Sequence, residues 1–192
     1  MGSFYTNITV KGPGQQQLLD YLNGAGRKSY VSPPSGDLSV VYDEESEEQD
    51  IHILAELASD LSKSLSCKAL TLMNHDDDIL WYQMYDSGTL VDEYDSNPAY
   101  FSETPKSNGG PSGGDAKVLC AALGKESVRE KVNSILRKAF VFAIDRHHEL
   151  ASVLELPYCA VGIGYNFIEL VKQRQLVPPH DMDISLYAKT GG

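Results

Sequence analysis

Residues 68–95 read KALTLMNHDDDILWYQMYDSGTLVDEYD, and this stretch decides the fold. It contains three runs rich in aromatic, β-branched and other apolar residues, at 68–74, 79–85 and 89–95. Such runs are typical of β-strands. The DSG segment at 86–88 supplies the backbone conformations that a tight turn requires. The stretch therefore predicts one β-strand followed by an aromatic β-hairpin.

The elements before this stretch set the fold class. Side-chain alternation predicts a first strand and then a strand pair, whereas apolar residues at three- and four-residue steps predict helices. The predicted strands are 4–11, 28–32 and 38–42, and the predicted helices are 15–24 and 51–65. With the strand at 68–74 the order is strand, helix, strand, strand, helix, strand. This is the βαββαβ order of a ferredoxin-like α+β unit, here extended by the aromatic hairpin.

The chain after residue 101 has a different character. Residues 102–114 are rich in glycine, proline and serine, which predicts a surface loop. Asp115 is placed to cap a helix over 116–123. Ser127 and Glu130 have the spacing of a capping box that opens a helical segment extending to residue 154. The pattern leaves open whether this second segment is one helix or two.

The last part of the chain is predicted to return to the sheet. AVGIGYNFI at 160–168 alternates apolar side chains with other residues, so it predicts a strand, and residues 183–188 are a candidate edge strand. We therefore expect an α+β region at 1–101, the loop at 102–114 and a helical region with one returning strand at 115–192. These regions are expected to form one domain.

Composition favours a globular protein of the cytoplasm. The 192 residues are 42% apolar and 22% charged, which is ordinary for a globular chain. No run approaches the ~20 apolar residues that cross a bilayer, and the first residues lack the pattern of a signal peptide. Cys67, Cys120 and Cys159 lie in apolar surroundings, as reduced core thiols do. The sequence predicts a soluble cytoplasmic protein with no membrane association.

The net charge of −11 is unevenly distributed along the chain. Residues 1–100 contain five Lys and Arg and seventeen Asp and Glu, a net of −12, whereas the remainder contains eleven and ten, a net of +1. Lysine and arginine supply most contacts to phosphate, so binding to nucleic acid or to anionic lipid is disfavoured. A basic protein or a cationic ligand is the partner that this charge favours.

Acidic and aromatic residues of the predicted hairpin are the candidate contact surface for such a partner. Exposed tyrosine and tryptophan beside carboxylates can bind lysine and arginine through charge and cation–π contacts. The predicted partner-binding residues are Trp81, Tyr82, Tyr85, Asp92, Glu93, Tyr94 and Asp95. The sequence thus favours a non-enzymatic binding module and leaves its oligomeric state open.

A metal-assisted hydrolase is the first alternative. Hard divalent cations prefer clustered oxygen ligands, and strand ends can bring carboxylates together. The candidate metal ligands are His75, Asp76, Asp78, Asp92 and Asp95, with the Asp145–His148 pair as a candidate general base. The chain lacks EF-hand, H-E-x-x-H, G-x-S-x-G and phosphate-loop spacings, so enzyme function is disfavoured. No cofactor is predicted, and a divalent cation is left as an open alternative.

A small-molecule binding or sensing domain is the second alternative. It would contain an apolar cavity lined by tyrosines and by Gly162 and Gly164 of the predicted last strand. The acidic run at 43–50 is explained by a solvated loop and by favourable negative charge at a helix amino terminus.

Overall fold

The computed structural model describes residues 2–100 and 110–191 of the chain. Within them are eight strands: β1 (Tyr5–Lys11), β2 (Ser29–Val31), β3 (Leu38–Asp43), β4 (Lys68–His75), β5 (Ile79–Asp86), β6 (Thr89–Asp95), β7 (Ser112–Gly113) and β8 (Ala188–Lys189). The described residues also form six α-helices: α1 (Gln15–Gly24), α2 (Ile51–Ser64), α3 (Ala116–Leu123), α4 (Arg129–Arg137), α5 (Ala143–Leu154) and α6 (Tyr165–Lys172). The predicted α+β class is confirmed.

All eight strands belong to one sheet in the order β7-β6-β5-β4-β1-β3-β2-β8, and every neighbouring pair is antiparallel. The aromatic hairpin β5–β6 extends the sheet beside β4, as the sequence predicts. The sheet is larger than a ferredoxin-like unit, which has four strands. The ferredoxin-like arrangement therefore stays a prediction.

Helices cover both faces of the sheet. Ile8 and Val10 of β1 belong to the core cluster formed with α1 and α2. Tyr5 lies on the opposite face, in the cluster formed with α3, α4 and α5. A third cluster packs α6 and the last residues against β2 and β3. Because side chains alternate across a strand, β1 contributes to the core on both faces.

The sequence leaves open whether residues 128–154 form one helix or two. Residues 128–154 form two helices, α4 and α5, with exposed Val141 and Phe142 between them. The predicted capping box of Ser127 and Glu130 is wrong, because a 3₁₀ turn at Glu126–Val128 leads into α4 and no side chain caps it. Within the described residues, no helix combines the length and apolar character that crossing a bilayer requires.

The predicted strand at 160–168 is wrong. Gly162 adopts a positive φ of 75°, which interrupts an extended path, and α6 begins at Tyr165. The strand that returns to the sheet is β8, which pairs with β2 at the sheet edge. Of the predicted loop at 102–114, residues 102–109 lie outside the described residues, and Ser112 and Gly113 form β7 beside β6.

Candidate functional site: an acidic and aromatic end of the sheet

The turn between β4 and β5 holds the first residues of the chain. Asp76 and Asp77 both adopt positive φ values, 52° and 59°, which aspartate tolerates better than most residues. The Asp76 carboxylate accepts a hydrogen bond from the Gly2 backbone N–H at 3.0 Å, and that of Asp77 accepts one from Ser3 at 3.0 Å. Two of the three adjacent aspartates therefore have a structural contact.

Aromatic rings surround this turn. The Phe4 ring packs edge-on against His75 at a centroid distance of 5.0 Å, and the Tyr100 ring packs against His75 at 5.7 Å. The imidazole Nδ1 of His75 contacts Gln49 Oε1 at 2.5 Å. Partial burial, with the nearby charges of Asp78 and Asp76, raises the pKa of the Tyr100 hydroxyl above its ordinary value. Tyr100 is thus close to the carboxylates of the turn.

The start of α5 completes the surface. The Asp77 carbonyl accepts a hydrogen bond from the Ala143 N–H at 2.6 Å, which brings the residue before α5, Phe142, to the turn. Phe142 is 53% exposed, Phe4 51% and Tyr100 40%. We name this surface the acidic-aromatic end, and it consists of Phe4, His75, Asp76, Asp78, Tyr100 and Phe142. Exposed aromatic side chains that neighbour each other are typical of interaction sites.

Most of the predicted partner-binding residues lie in the core. Trp81, Tyr82, Tyr85, Asp92 and Tyr94 are each less than 10% exposed, whereas Glu93 is exposed and Asp95 is half-buried. The hairpin is covered on both faces, so its aromatic side chains pack against helices on either side. Among the described residues, Phe4, Tyr100 and Phe142 at the acidic-aromatic end are accessible, and Tyr158 is accessible elsewhere. The sequence showed an acidic and aromatic segment but could not show that two helical layers bury it.

The candidate metal ligands do not form one cluster. Asp92 accepts hydrogen bonds from the Tyr82 hydroxyl at 2.8 Å and the Asp115 N–H at 2.9 Å, and burial raises its pKa. Asp95 accepts one from the Asn97 N–H at 2.8 Å. Among residues 2–100 and 110–191, no three His, Cys, Asp or Glu side chains are grouped so that they could hold a metal ion.

The candidate general base does not form its predicted pair. Asp145 and His148 are both exposed on α5, and the contacts of the described residues include no hydrogen bond or ion pair between them. The neighbouring His147 is buried, and its Nδ1 lies 2.7 Å from the Tyr5 hydroxyl. Burial lowers the pKa of His147 to about 3, so its imidazole is neutral and structural.

The acidic run at 43–50 has structural roles that the sequence shows only in part. Asp50 caps α2 through the His52 N–H at 2.8 Å, in line with the expected charge at a helix start. Asp43 is buried and accepts from the Arg27 Nε at 3.0 Å. Glu47 accepts from the Tyr165 N–H at the start of α6. Sequence reasoning misses this last contact because its partners are 118 residues apart.

The function of the chain has to be inferred from these residues themselves. No protein-family model, no curated protein and no solved structure matches it.

Proposed function

We propose that this protein is a non-enzymatic binding module that engages a basic protein partner through the acidic-aromatic end. The observation that carries the proposal is that exposed aromatic side chains lie beside the carboxylates of one turn at the end of the sheet. Phe4, Tyr100 and Phe142 are each at least 40% exposed, and they surround the turn that contains Asp76 and Asp78.

Such a surface suits lysine and arginine side chains. Aromatic residues supply most of the affinity at many interfaces, because they bury a large area with little loss of conformational entropy. A cation placed over a ring gains about 0.5–2 kcal/mol, and adjacent carboxylates add charge attraction. The rings of the acidic-aromatic end would thus hold a basic side chain that Asp76 or Asp78 attracts.

The charges of the first half support the same proposal. Four of its five cations are already paired with carboxylates from that half, namely Lys11 with Asp37, Arg27 with Asp43, Lys28 with Glu44 and Lys68 with Asp86. The excess of twelve negative charges in residues 1–100 is therefore not neutralised locally. A negative potential of this kind attracts a basic protein and raises its rate of association.

Affinity capture with matched variants tests the proposal. The full chain is immobilised, and proteins from the producing cells are retained at low salt and eluted with a salt gradient. Phe142→Ser and Asp78→Asn should lose the basic proteins that the wild type retains. Val177→Ser and Asp181→Asn are the matched controls, because Val177 is 89% exposed and the Asp181 side chain 83% exposed, and neither belongs to the acidic-aromatic end. Both controls should retain those proteins.

Two results would overturn the proposal. The retained proteins could be neutral or acidic and elute independently of salt, which would remove the charge argument. Alternatively, the controls and the Phe142→Ser and Asp78→Asn variants could retain the same basic proteins equally well. Binding would then occur at another surface.

A further inference from the structure

A depression of about 540 Å³ lies between α5 and the segment that leads into α6. His148 and Ser152 lie one helical turn apart on the same face of α5 and form its polar wall. Tyr158, Ile163 and Phe167 form the opposite, apolar wall. The volume lies within the range of small-molecule sites, which combine apolar walls with a few polar groups.

The polar wall has hydrogen-bonding groups available for a ligand. Among the contacts of the described residues, neither the His148 nor the Ser152 side chain makes a hydrogen bond, and both side chains are exposed. Glu155, the charged residue of this wall, forms an ion pair with Lys125. The described lining therefore offers hydrogen bonds but no unpaired charge, which favours an uncharged ligand.

Buried polar groups of the sheet fix the apolar wall. The Asn7 side-chain amide donates to the carbonyl oxygens of Ala160 at 2.8 Å and Ile163 at 3.1 Å. The Tyr42 hydroxyl donates to the Cys159 carbonyl at 2.9 Å. The segment that leads into α6, which begins with a 3₁₀ turn at Tyr158–Ala160, is thus also held by side chains of β1 and β3.

The backbone of Gly162 lies beside the Tyr5 hydroxyl. That hydroxyl contacts His147 Nδ1 at 2.7 Å. Gly162 contributes no side chain, so it leaves space in the depression. A wall that is rigid before binding lowers the entropy cost of binding.

From these observations we propose that the depression is a binding site for a small uncharged molecule with a ring-sized apolar body and one hydroxyl or ring N–H group. The apolar body packs against Phe167 and Tyr158, and the polar group hydrogen-bonds to His148 or Ser152. The site shares no residue with the acidic-aromatic end, so ligand binding here does not depend on the proposed protein partner.

Phenol and benzene are a matched pair of probes, because they differ only in the hydroxyl group. In a titration of the full chain followed by amide NMR signals, phenol should shift the signals of Gly162 and Phe167. It should bind several-fold more tightly than benzene, since one added hydrogen bond contributes about 0.5–1.5 kcal/mol. In the double variant His148→Leu, Ser152→Ala this preference for phenol should disappear.

A blocking variant tests the location of the site. Ser152→Phe places a ring in the depression and should weaken phenol binding at least about tenfold. Ser134→Phe, an exposed serine on α4, is its matched control and should bind phenol as the wild type does. The proposal is overturned if phenol, indole and cyclohexanol all leave the signals of 158–167 unchanged, or if Ser152→Phe binds phenol with wild-type affinity.

Discussion

At the scale of single residues, Glu47 connects the two halves of the chain. Its carboxylate accepts from the Tyr165 N–H at the amino terminus of α6, and a side chain at Gly164 would overlap it. Burial raises the pKa of Glu47 from 4.5 to about 7, although the backbone hydrogen bonds oppose this shift. The carboxylate therefore prefers to be protonated in the folded state up to neutral pH.

The raised pKa of Glu47 predicts a loss of stability as pH increases. Between pH 4.5 and about 7 the folded protein retains a proton that the unfolded chain has released. The stabilisation that this proton gives is therefore fully present below the pKa of Glu47 in the unfolded chain. It is lost as pH rises through the pKa of Glu47 in the folded protein. The side chain in Glu47→Gln cannot ionise, so this variant should lack that loss of stability. Between pH 5 and pH 8, the free energy of unfolding of the wild type should fall by on the order of 2 kcal/mol relative to that of Glu47→Gln.

Urea denaturation at a series of pH values measures this difference between Glu47→Gln and the wild type. Glu48→Gln is the control, since Glu48 is exposed and adjacent in the chain. Its stability should follow the wild-type pH dependence. Parallel pH profiles for Glu47→Gln and the wild type would show that Glu47 titrates normally.

The buried ion pair of Asp43 is a second prediction at the residue scale. The Asp43 side chain is 2% exposed, and Arg27 supplies its counter-charge. Arg27→Gln leaves a buried carboxylate without that charge, so we expect a loss of about 3 kcal/mol in the free energy of unfolding. Lys11→Gln breaks an ion pair in which the Asp37 side chain is 60% exposed, and it should cost less than about 1 kcal/mol. Equal costs for the two variants in urea denaturation would contradict this account.

At the scale of elements, sequence patterns correctly predicted the strands and helices that contacts between neighbouring residues determine. The strands β4, β5 and β6 follow runs of apolar and β-branched residues, and α2 follows its apolar stripe. The segment at 160–168 does not, because a left-handed Gly162 and a distant Glu47 determine where α6 begins. The burial of Trp81 and Tyr94 also depends on helices that lie elsewhere in the chain.

Helix capping separates a correct local prediction from a wrong one. The Asp115 carboxylate accepts from the N–H groups of Lys117 at 2.8 Å and Val118 at 3.3 Å, as its position before α3 predicts. Asp115→Ala should therefore lower the free energy of unfolding by about 1 kcal/mol. Ser127→Ala should leave it unchanged within about 0.5 kcal/mol, because the Ser127 side chain caps no helix in the described structure. Thermal or urea unfolding of both variants measures the two losses in free energy of unfolding. Equal losses for Ser127→Ala and Asp115→Ala would contradict the conclusion that Asp115 caps a helix and Ser127 does not.

At the scale of the whole molecule, the two halves of the chain form different layers of the fold and differ in net charge. The first half forms β1 to β6 with α1 and α2 and has a net charge of −12, whereas the second half supplies the other four helices and has +1. The acidic-aromatic end lies where the layers meet, because α5 begins at the β4–β5 turn. Composition predicted the charge asymmetry, but only the fold shows which aromatic side chains are accessible beside it.

For the proposed partner, this difference in charge predicts that charged residues affect the association rate and that contact residues affect the dissociation rate. Long-range attraction acts on the encounter, so the association rate should fall as salt is raised from about 0.01 to 0.15 M and the Debye length shortens from about 30 to 8 Å. Glu56→Gln, at an exposed position of α2, should lower the association rate without changing the dissociation rate. Under the proposed function Phe142→Ser removes a contact with the partner, so it should speed dissociation with little effect on association. Surface plasmon resonance separates the two rates, and a Glu56→Gln effect confined to dissociation would place α2 inside the contact instead of in the steering field.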